Sequence, residues 1–200
     1  MLSSIHPLGE RTRHNIWGIT VGAFIVGAVA GGIMLGVLAG GVGGVGHMLI
    51  PWSPRNAFVA AIGVVGLATV GDLLRGSRAL PWPQRQVNED WLTTYRGWVY
   101  GAGFGFQLGG GLFTYITTLA VLATIAVAVL SASVLVGAVI GAAFGLFRGL
   151  AVLTTSRVSD PLALRSFHAG MARLAQPVRF LALAAQVALV FGAFVVVVVS

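Results

Sequence analysis

The sequence predicts an all-α integral membrane protein with about five transmembrane helices and one amphipathic interfacial helix. Of its 200 residues, 57% are hydrophobic and only 8% are charged, whereas soluble domains contain roughly 25% charged residues. No Asp, Glu, Lys, Arg or His occurs between Gly97 and Phe147. As one helix this segment would be about 75 Å long, and a bilayer core is about 30 Å thick. The segment must therefore cross a membrane more than once.

The first helical hairpin is predicted at residues 16–76. After a polar N-terminus, an apolar span covers 16–43 and ends in a glycine cluster. A short loop at 47–56 contains two prolines and a tryptophan, as is typical of a turn at the membrane surface. The second span covers 57–74 and is followed by a polar loop at 77–97, which we expect in the cytoplasm.

The second helical hairpin is predicted at residues 98–153. Its two spans, at 98–130 and 133–153, are joined by a short Ser-Ala-Ser turn. The first of these spans is about ten residues longer than a bilayer requires, since roughly 20 residues are enough to cross the hydrocarbon core.

Two further helices are predicted after the hairpins. Ser159-Asp160-Pro161 is a good helix start, because Asp caps free N–H groups and Pro is favoured in the first turn. We expect an amphipathic helix at 159–176, suited to the membrane surface or to a partner subunit. Pro177 then opens the last transmembrane helix, at 177–199. The whole chain, 1–200, is predicted to be one membrane domain.

The basic residues predict the orientation. All twelve are Arg, and with the N-terminus in the cytoplasm every Arg except Arg55 falls in a cytoplasmic segment. This asymmetry follows the positive-inside rule. It favours five spans, with the C-terminus outside, and we find no clean place for a sixth. The absence of Lys suggests a GC-rich bacterial genome, so the expected location is the bacterial cytoplasmic membrane.

The composition excludes several classes of function. Because there is no cysteine, disulfides, thiolate metal sites and thiol redox chemistry are absent. The four histidines lie far apart without ligand spacing, and no nucleophile triad, paired carboxylates or phosphate-binding loop occurs. We therefore expect no enzyme, no metal site and no nucleic-acid partner. The cofactor is unknown, since apolar grooves for lipid, quinone or pigment are indistinguishable in sequence.

A weak internal repeat relates the two hairpins. The first span of each begins with Trp and then meets a glycine cluster, Gly31-Gly32 in one and Gly109-Gly110-Gly111 in the other. Paired, glycine-broken spans are a sequence indication of a transporter's midplane site. The alternative is packing, since small residues spaced four apart allow helix backbones to approach closely.

Three polar residues in the spans are candidate binding residues. Gln107 and Thr114 flank the glycine triplet and would line a polar path or bond neighbouring helices. Asp72 is the only acidic residue within a predicted span, and intramembrane carboxylates are functional candidates. Alternatively, Asp72 forms a local ion pair with Arg75 at the cytoplasmic surface.

The segment WVYGAGFGFQLGGGLFTYITTLAVLA at 98–123 resembles the active span of the CcdA/DsbD-type membrane electron-transfer proteins. The resemblance implies a Gly/Phe-rich half-helix, a break, and an apolar half-helix. The family's redox cysteines and helix-breaking prolines are absent, with Gly109–Gly111 in their place, and the family has six spans. No catalytic residue is carried over, and a related chain would have lost the thiol relay.

These observations favour a non-catalytic accessory or scaffold subunit of a larger membrane complex. The expected partners are membrane lipids and other membrane subunits. The alternative is a transporter of a small solute or ion with glycine-broken helices. The scarcity of polar residues in the spans favours the accessory or scaffold subunit, because carriers of polar solutes need polar groups at their site.

Overall fold

A computed structural model describes residues 5–76, 91–111 and 118–199 of the chain. All regular structure in these residues is helical, which confirms the predicted all-α class. The helices are α1 (Pro7–Thr12), α2 (Trp17–Leu49), α3 (Pro54–Arg75), α4 (Trp91–Thr94), α5 (Gly97–Gly109), α6 (Leu119–Leu130), α7 (Val134–Leu150), which continues as a 3₁₀ helix (Ala151–Arg157), and α8 (Pro161–Val199).

Four helical segments in the described part of the chain are long and apolar enough to cross a membrane. They are Trp17–Leu49, Pro54–Arg75, Val134–Arg157 and Pro161–Val195. The predicted span at 98–130 is not among them, because it is divided into α5 and the shorter apolar helix α6. α5 ends at Gly109, and Gly111 has a φ of +61°, a left-handed conformation that glycine adopts without steric cost.

The predicted glycine break in the first span is wrong. α2 continues from Trp17 to Leu49 without interruption, through Gly31 and Gly32 and six residues beyond the predicted end at 43. A single interior glycine costs a helix about 1 kcal/mol relative to Ala. The backbone contacts described below, which only glycine permits, offset that cost.

The last two predicted elements form one helix. α8 runs continuously through Pro177, so the predicted boundary between 159–176 and 177–199 is wrong. A proline removes one backbone hydrogen bond and tends to kink a helix rather than to end it. The predicted helix start is confirmed, since the N–H of Ala163 donates to Asp160 Oδ1 at 2.8 Å.

The contacts divide the chain into two compact units. The first consists of Met1–Leu35, Pro83–Tyr115 and Gly141–Arg173, and the second consists of Gly36–Trp82, Ile116–Ile140 and Leu174–Ser200. The first unit has an apolar core that includes Phe24, Tyr100 and Phe104. In the second unit α3 packs along α6.

Candidate functional site

In the first unit, α2 and α5 touch backbone to backbone through glycines, which we call the glycine contact surface (Gly27, Gly31, Gly105 and Gly109). A Cβ added at Gly31 would overlap the carbonyl oxygen of Phe106, and one added at Gly109 would overlap that of Ala28. The two glycine clusters that the repeat identified are therefore brought together. The space between them is filled by backbone atoms, as in close helix packing.

The remaining candidate glycines are also in contact with neighbouring chain. A Cβ added at Gly32 would overlap the carbonyl oxygen of Gly141 on α7. The backbone nitrogen of Gly110 would lie 2.9 Å from a Cβ added at Gly31 of α2. A Cβ at Gly111 would lie 3.2 Å from the ring of Phe144. These glycines act as contact points between elements of the first unit.

Unlike the candidate glycines, the polar candidate residues are not all in the first unit. Gln107 is half-buried on α5, in the same unit as the glycine contact surface. Thr114 lies outside the described residues. Asp72 belongs to the second unit.

Asp72 caps the start of a neighbouring helix. Its side chain is buried, with 8% exposure, and its two carboxylate oxygens accept the N–H of Leu119 at 2.9 and 3.1 Å. Leu119 is the first residue of α6, whose own N-cap residue, Thr118, makes no side-chain capping bond. The first N–H groups of a helix have no partner within the helix and carry a partial positive charge. A carboxylate from α3 therefore satisfies a group that α6 cannot satisfy itself.

The backbone at Asp72 is bound as well. The guanidinium of Arg179 on α8 donates to the carbonyl oxygen of Asp72 at 2.9 Å. Beside it, Gly71 leaves room for the side chain of Leu119, which a Cβ at that position would overlap. Asp72 thus joins three helices of the second unit.

Two adjoining cavities in the second unit form what we call the α3–α6 groove. The larger has a volume of about 480 Å³ and the smaller about 240 Å³, and both are lined by Val127 of α6 and Ile140 of α7. Along α3 the lining runs from Pro54 to Ala68. Most of the lining residues are apolar, and the groove has polar groups at its two ends.

At one end of the groove, His47 and Trp52 are in contact with each other. The backbone N–H of Trp52 donates to His47 Nδ1 at 3.3 Å, and the two rings meet edge to face with centroids 4.9 Å apart. The indole N–H of Trp52 donates to the carbonyl of Leu130 at 3.4 Å. The loop between α2 and α3 is therefore attached to the end of α6.

At the other end, Thr69 and Gln186 connect α3 to α8. The hydroxyl of Thr69 lies 2.8 Å from the carbonyl of Val65 and 3.0 Å from the side-chain oxygen of Gln186. Gln186 also lines the smaller cavity. Hydrogen bonds of this kind between apolar helices are worth about 0.6 kcal/mol on average.

The first unit contains a buried polar cluster that the sequence reasoning missed, which we call the Glu10 cluster (Glu10, Arg13, Asn15, Thr20 and Tyr100). The side chain of Glu10 has 0% exposure. Its carboxylate accepts hydrogen bonds from the hydroxyls of Tyr100 and, at 2.8 Å, Thr20. Arg13 lies 3.3 Å from the same carboxylate.

Asn15 extends this cluster to the start of α5. Its amide nitrogen donates to the Tyr100 hydroxyl at 3.3 Å, and its amide oxygen accepts the N–H of Gly97 at 3.3 Å. The sequence signal for the cluster was weak: a lone acidic residue three positions before Arg13 in a polar segment. Only the tertiary structure, in which α1 contacts the 3₁₀ helix and Glu10 bonds to α2 and α5, places that carboxylate inside the protein.

The described residues contain no group of three or more His, Asp or Glu side chains arranged to hold a metal ion. The Glu10 cluster has one carboxylate, which is already bonded to Tyr100, Thr20 and Arg13. Its chemistry is that of a structural network that holds three segments of chain together.

Comparison with known proteins leaves the family open. No protein-family model, no curated protein and no solved structure matches the chain. The resemblance of residues 98–123 to the CcdA/DsbD-type proteins stays a prediction.

Proposed function

We propose that the chain is a multi-pass protein of the bacterial cytoplasmic membrane and serves as a non-catalytic scaffold subunit of a larger complex. The observation that carries this proposal is the exposed apolar surface of α8. The exposed fractions of Leu181, Leu189 and Phe191 are 72%, 69% and 68%. Contiguous apolar surface on this scale marks contact with a membrane or with another protein.

The distribution of charge supports the membrane location. In the proposed orientation the N-terminus is cytoplasmic and the C-terminus is outside, because only Arg55 then faces away from the cytoplasm. The four candidate spans in the described residues account for four crossings, and a C-terminus outside requires a fifth. Five crossings require residues 98–130, which include α5 and α6, to provide one crossing.

The scaffold role is supported by how the polar groups are used. Asp72, Thr69 and the Glu10 cluster all bond to other parts of the chain. The glycines of the contact surface pack against backbone. Polar groups and small residues thus stabilise the assembly of helices, and the partners that we propose are membrane lipids and other membrane subunits.

Two experiments test this proposal. Alkaline carbonate washing of membranes should leave the chain in the membrane fraction, and a C-terminal reporter active only outside the cytoplasm should be active. Extraction in a mild detergent, followed by mass spectrometry, should recover other membrane chains in fixed ratio. A chain that the wash releases contradicts membrane insertion, and a chain that purifies alone as a stable monomer contradicts the subunit role.

A small-solute or ion transporter is the second candidate function. One observation favours it: α5 ends at the glycine cluster, within one turn of the half-buried Gln107. Uptake into proteoliposomes that is abolished by Gln107→Ala, and retained in Gln176→Ala, would support this candidate. Uptake that is unaffected by Gln107→Ala would contradict a solute path at this residue.

A further inference from the structure

The α3–α6 groove is long enough to hold a lipid tail. The residues from Pro54 to Ala68 rise about 21 Å along α3, and both ends of this stretch line the groove. One leaflet of a bilayer core is about 15 Å deep, half of the total hydrocarbon thickness. The larger cavity alone, at about 480 Å³, falls in the range of roughly 300–1,000 Å³ that ligand sites occupy.

The groove also has the polarity of an amphiphile. Its body is lined by residues such as Ala57, Ala61, Val127 and Ile140. At the Pro54 end it meets His47, whose Nδ1 accepts a hydrogen bond from Trp52. In the neutral ring the proton is then on Nε2, which is a donor for a phosphate or ester oxygen.

A cation stands at the same end. Arg55 follows the lining residue Pro54 directly and is exposed, although it does not itself line either cavity. The loop from Ile50 to Ser53 connects α2 and α3, which are long and apolar enough to cross a membrane, so in the proposed membrane protein this end of the groove lies at headgroup level. A guanidinium and a hydrogen-bond donor at this end complement a headgroup that carries a phosphate.

We infer that the α3–α6 groove binds one acyl chain of an anionic phospholipid, with the phosphate at His47 and Arg55. This inference rests on the proposed membrane insertion. The lipid tail fills the space between α3, α6 and α7, and the headgroup is held by the imidazole Nε2 and the guanidinium.

The first test is native mass spectrometry of the purified protein after reconstitution in vesicles of equal phosphatidylglycerol and phosphatidylcholine. We expect one retained phospholipid per chain, with phosphatidylglycerol favoured. Arg55→Ala should lower this preference about fivefold, as expected for the loss of one exposed ion pair. His47→Ala should lower lipid retention by a similar factor.

The second test fills the groove. Ala61 lines the cavity and neighbouring Ala60 is exposed and does not line it. Ala61→Trp should abolish the retained lipid, whereas the matched control Ala60→Trp should keep it. Equal lipid retention in the two variants, each with wild-type circular dichroism, would overturn the inference.

A third measurement needs no variant. Phosphatidylglycerol with a photoreactive diazirine in its acyl chain should crosslink the wild-type protein to peptides of α3, α6 and α7. Crosslinks confined to other helices would overturn the groove assignment. A retained mass that matches a second copy of the chain, or an amphiphile without phosphate, would also overturn it. Loss of the protein from washed membranes would instead contradict the proposed function, so the two failures are distinguishable.

Discussion

The hydroxyl of Tyr100 on α5 donates a hydrogen bond to the fully buried carboxylate of Glu10, ninety residues earlier in the chain. Through this bond, the short helix α1 is held against the helices of the first unit. A buried carboxylate is stable only when its oxygens are bonded, since an unsatisfied buried charge is costly. Loss of either Glu10 or Tyr100 as a partner in this bond should therefore lower the stability of the first unit substantially.

Removal of this bond should destabilise the first unit. We expect Tyr100→Phe to lower the free energy of unfolding in detergent by about 1–2 kcal/mol, because it leaves an acceptor of Glu10 unsatisfied while it keeps the ring. Glu10→Ala should cost about 3 kcal/mol. The control is Tyr95→Phe, since Tyr95 is half-exposed. Additive effects in the double variant Glu10→Ala with Tyr100→Phe would contradict a direct interaction.

The glycines of α2 should differ sharply in their tolerance of a methyl group. Gly31→Ala should lower stability by about 1–3 kcal/mol, because the added Cβ overlaps the backbone of α5 and overpacking has this cost. Gly22 on the same helix has no atom within 4 Å of an added Cβ. Gly22→Ala should therefore raise stability by up to about 1 kcal/mol. Thermal unfolding of both variants checks the contrast, and equal effects would refute the packing role.

Loss of the carboxylate at position 72 should loosen the first turn of α6. We expect Asp72→Ala to lower the free energy of unfolding by about 1–2 kcal/mol, as for other helix caps. Hydrogen exchange of the Leu119 amide should become faster. Asp160→Ala is the matched control, because Asp160 caps α8 at Ala163 and its loss should leave the Leu119 amide unchanged. Unaltered exchange at Leu119 in Asp72→Ala would show that the cap is not formed in solution.

The hydrogen bond between Thr69 and Gln186 should contribute weakly. A double-mutant cycle with Thr69→Val and Gln186→Leu should give a coupling of about 0.6 kcal/mol, the average for such bonds between membrane helices. Thr124 provides the comparison, since its hydroxyl donates to the backbone carbonyl of Ala120 at 2.9 Å. Thr124→Val combined with Gln186→Leu should show no coupling. A coupling as large as that of Thr69 would indicate an indirect effect.

The sequence predicted which helices exist more accurately than it predicted where each helix begins and ends. The start of α8 was predictable because Asp160 and Pro161 act within one turn of the helix that they begin. The continuity of α2 through Gly31 was not, because it depends on what α5 places beside that glycine. Gly109 and Gly31 look alike in sequence, yet a helix ends at one and continues through the other.

For the candidate site too, the sequence identified some of the residues but not the contacts that they make. Sequence reasoning selected Asp72 because a carboxylate in an apolar segment is rare, but its partner is a backbone N–H on a helix 47 residues away. It passed over Glu10, which stands in a polar segment and is buried only by tertiary packing. The α3–α6 groove has no sequence signature, since its lining residues are of the same apolar types as the exposed ones.

By itself, the sequence determined that this chain is helical and apolar, because composition and the length of charge-free segments act locally and need no partner. It also determined where a capped helix begins. The tertiary structure alone decided which glycines are contacts, which carboxylates are buried and where a groove opens. Those properties depend on atoms from distant segments, and a one-dimensional pattern does not specify which segments meet.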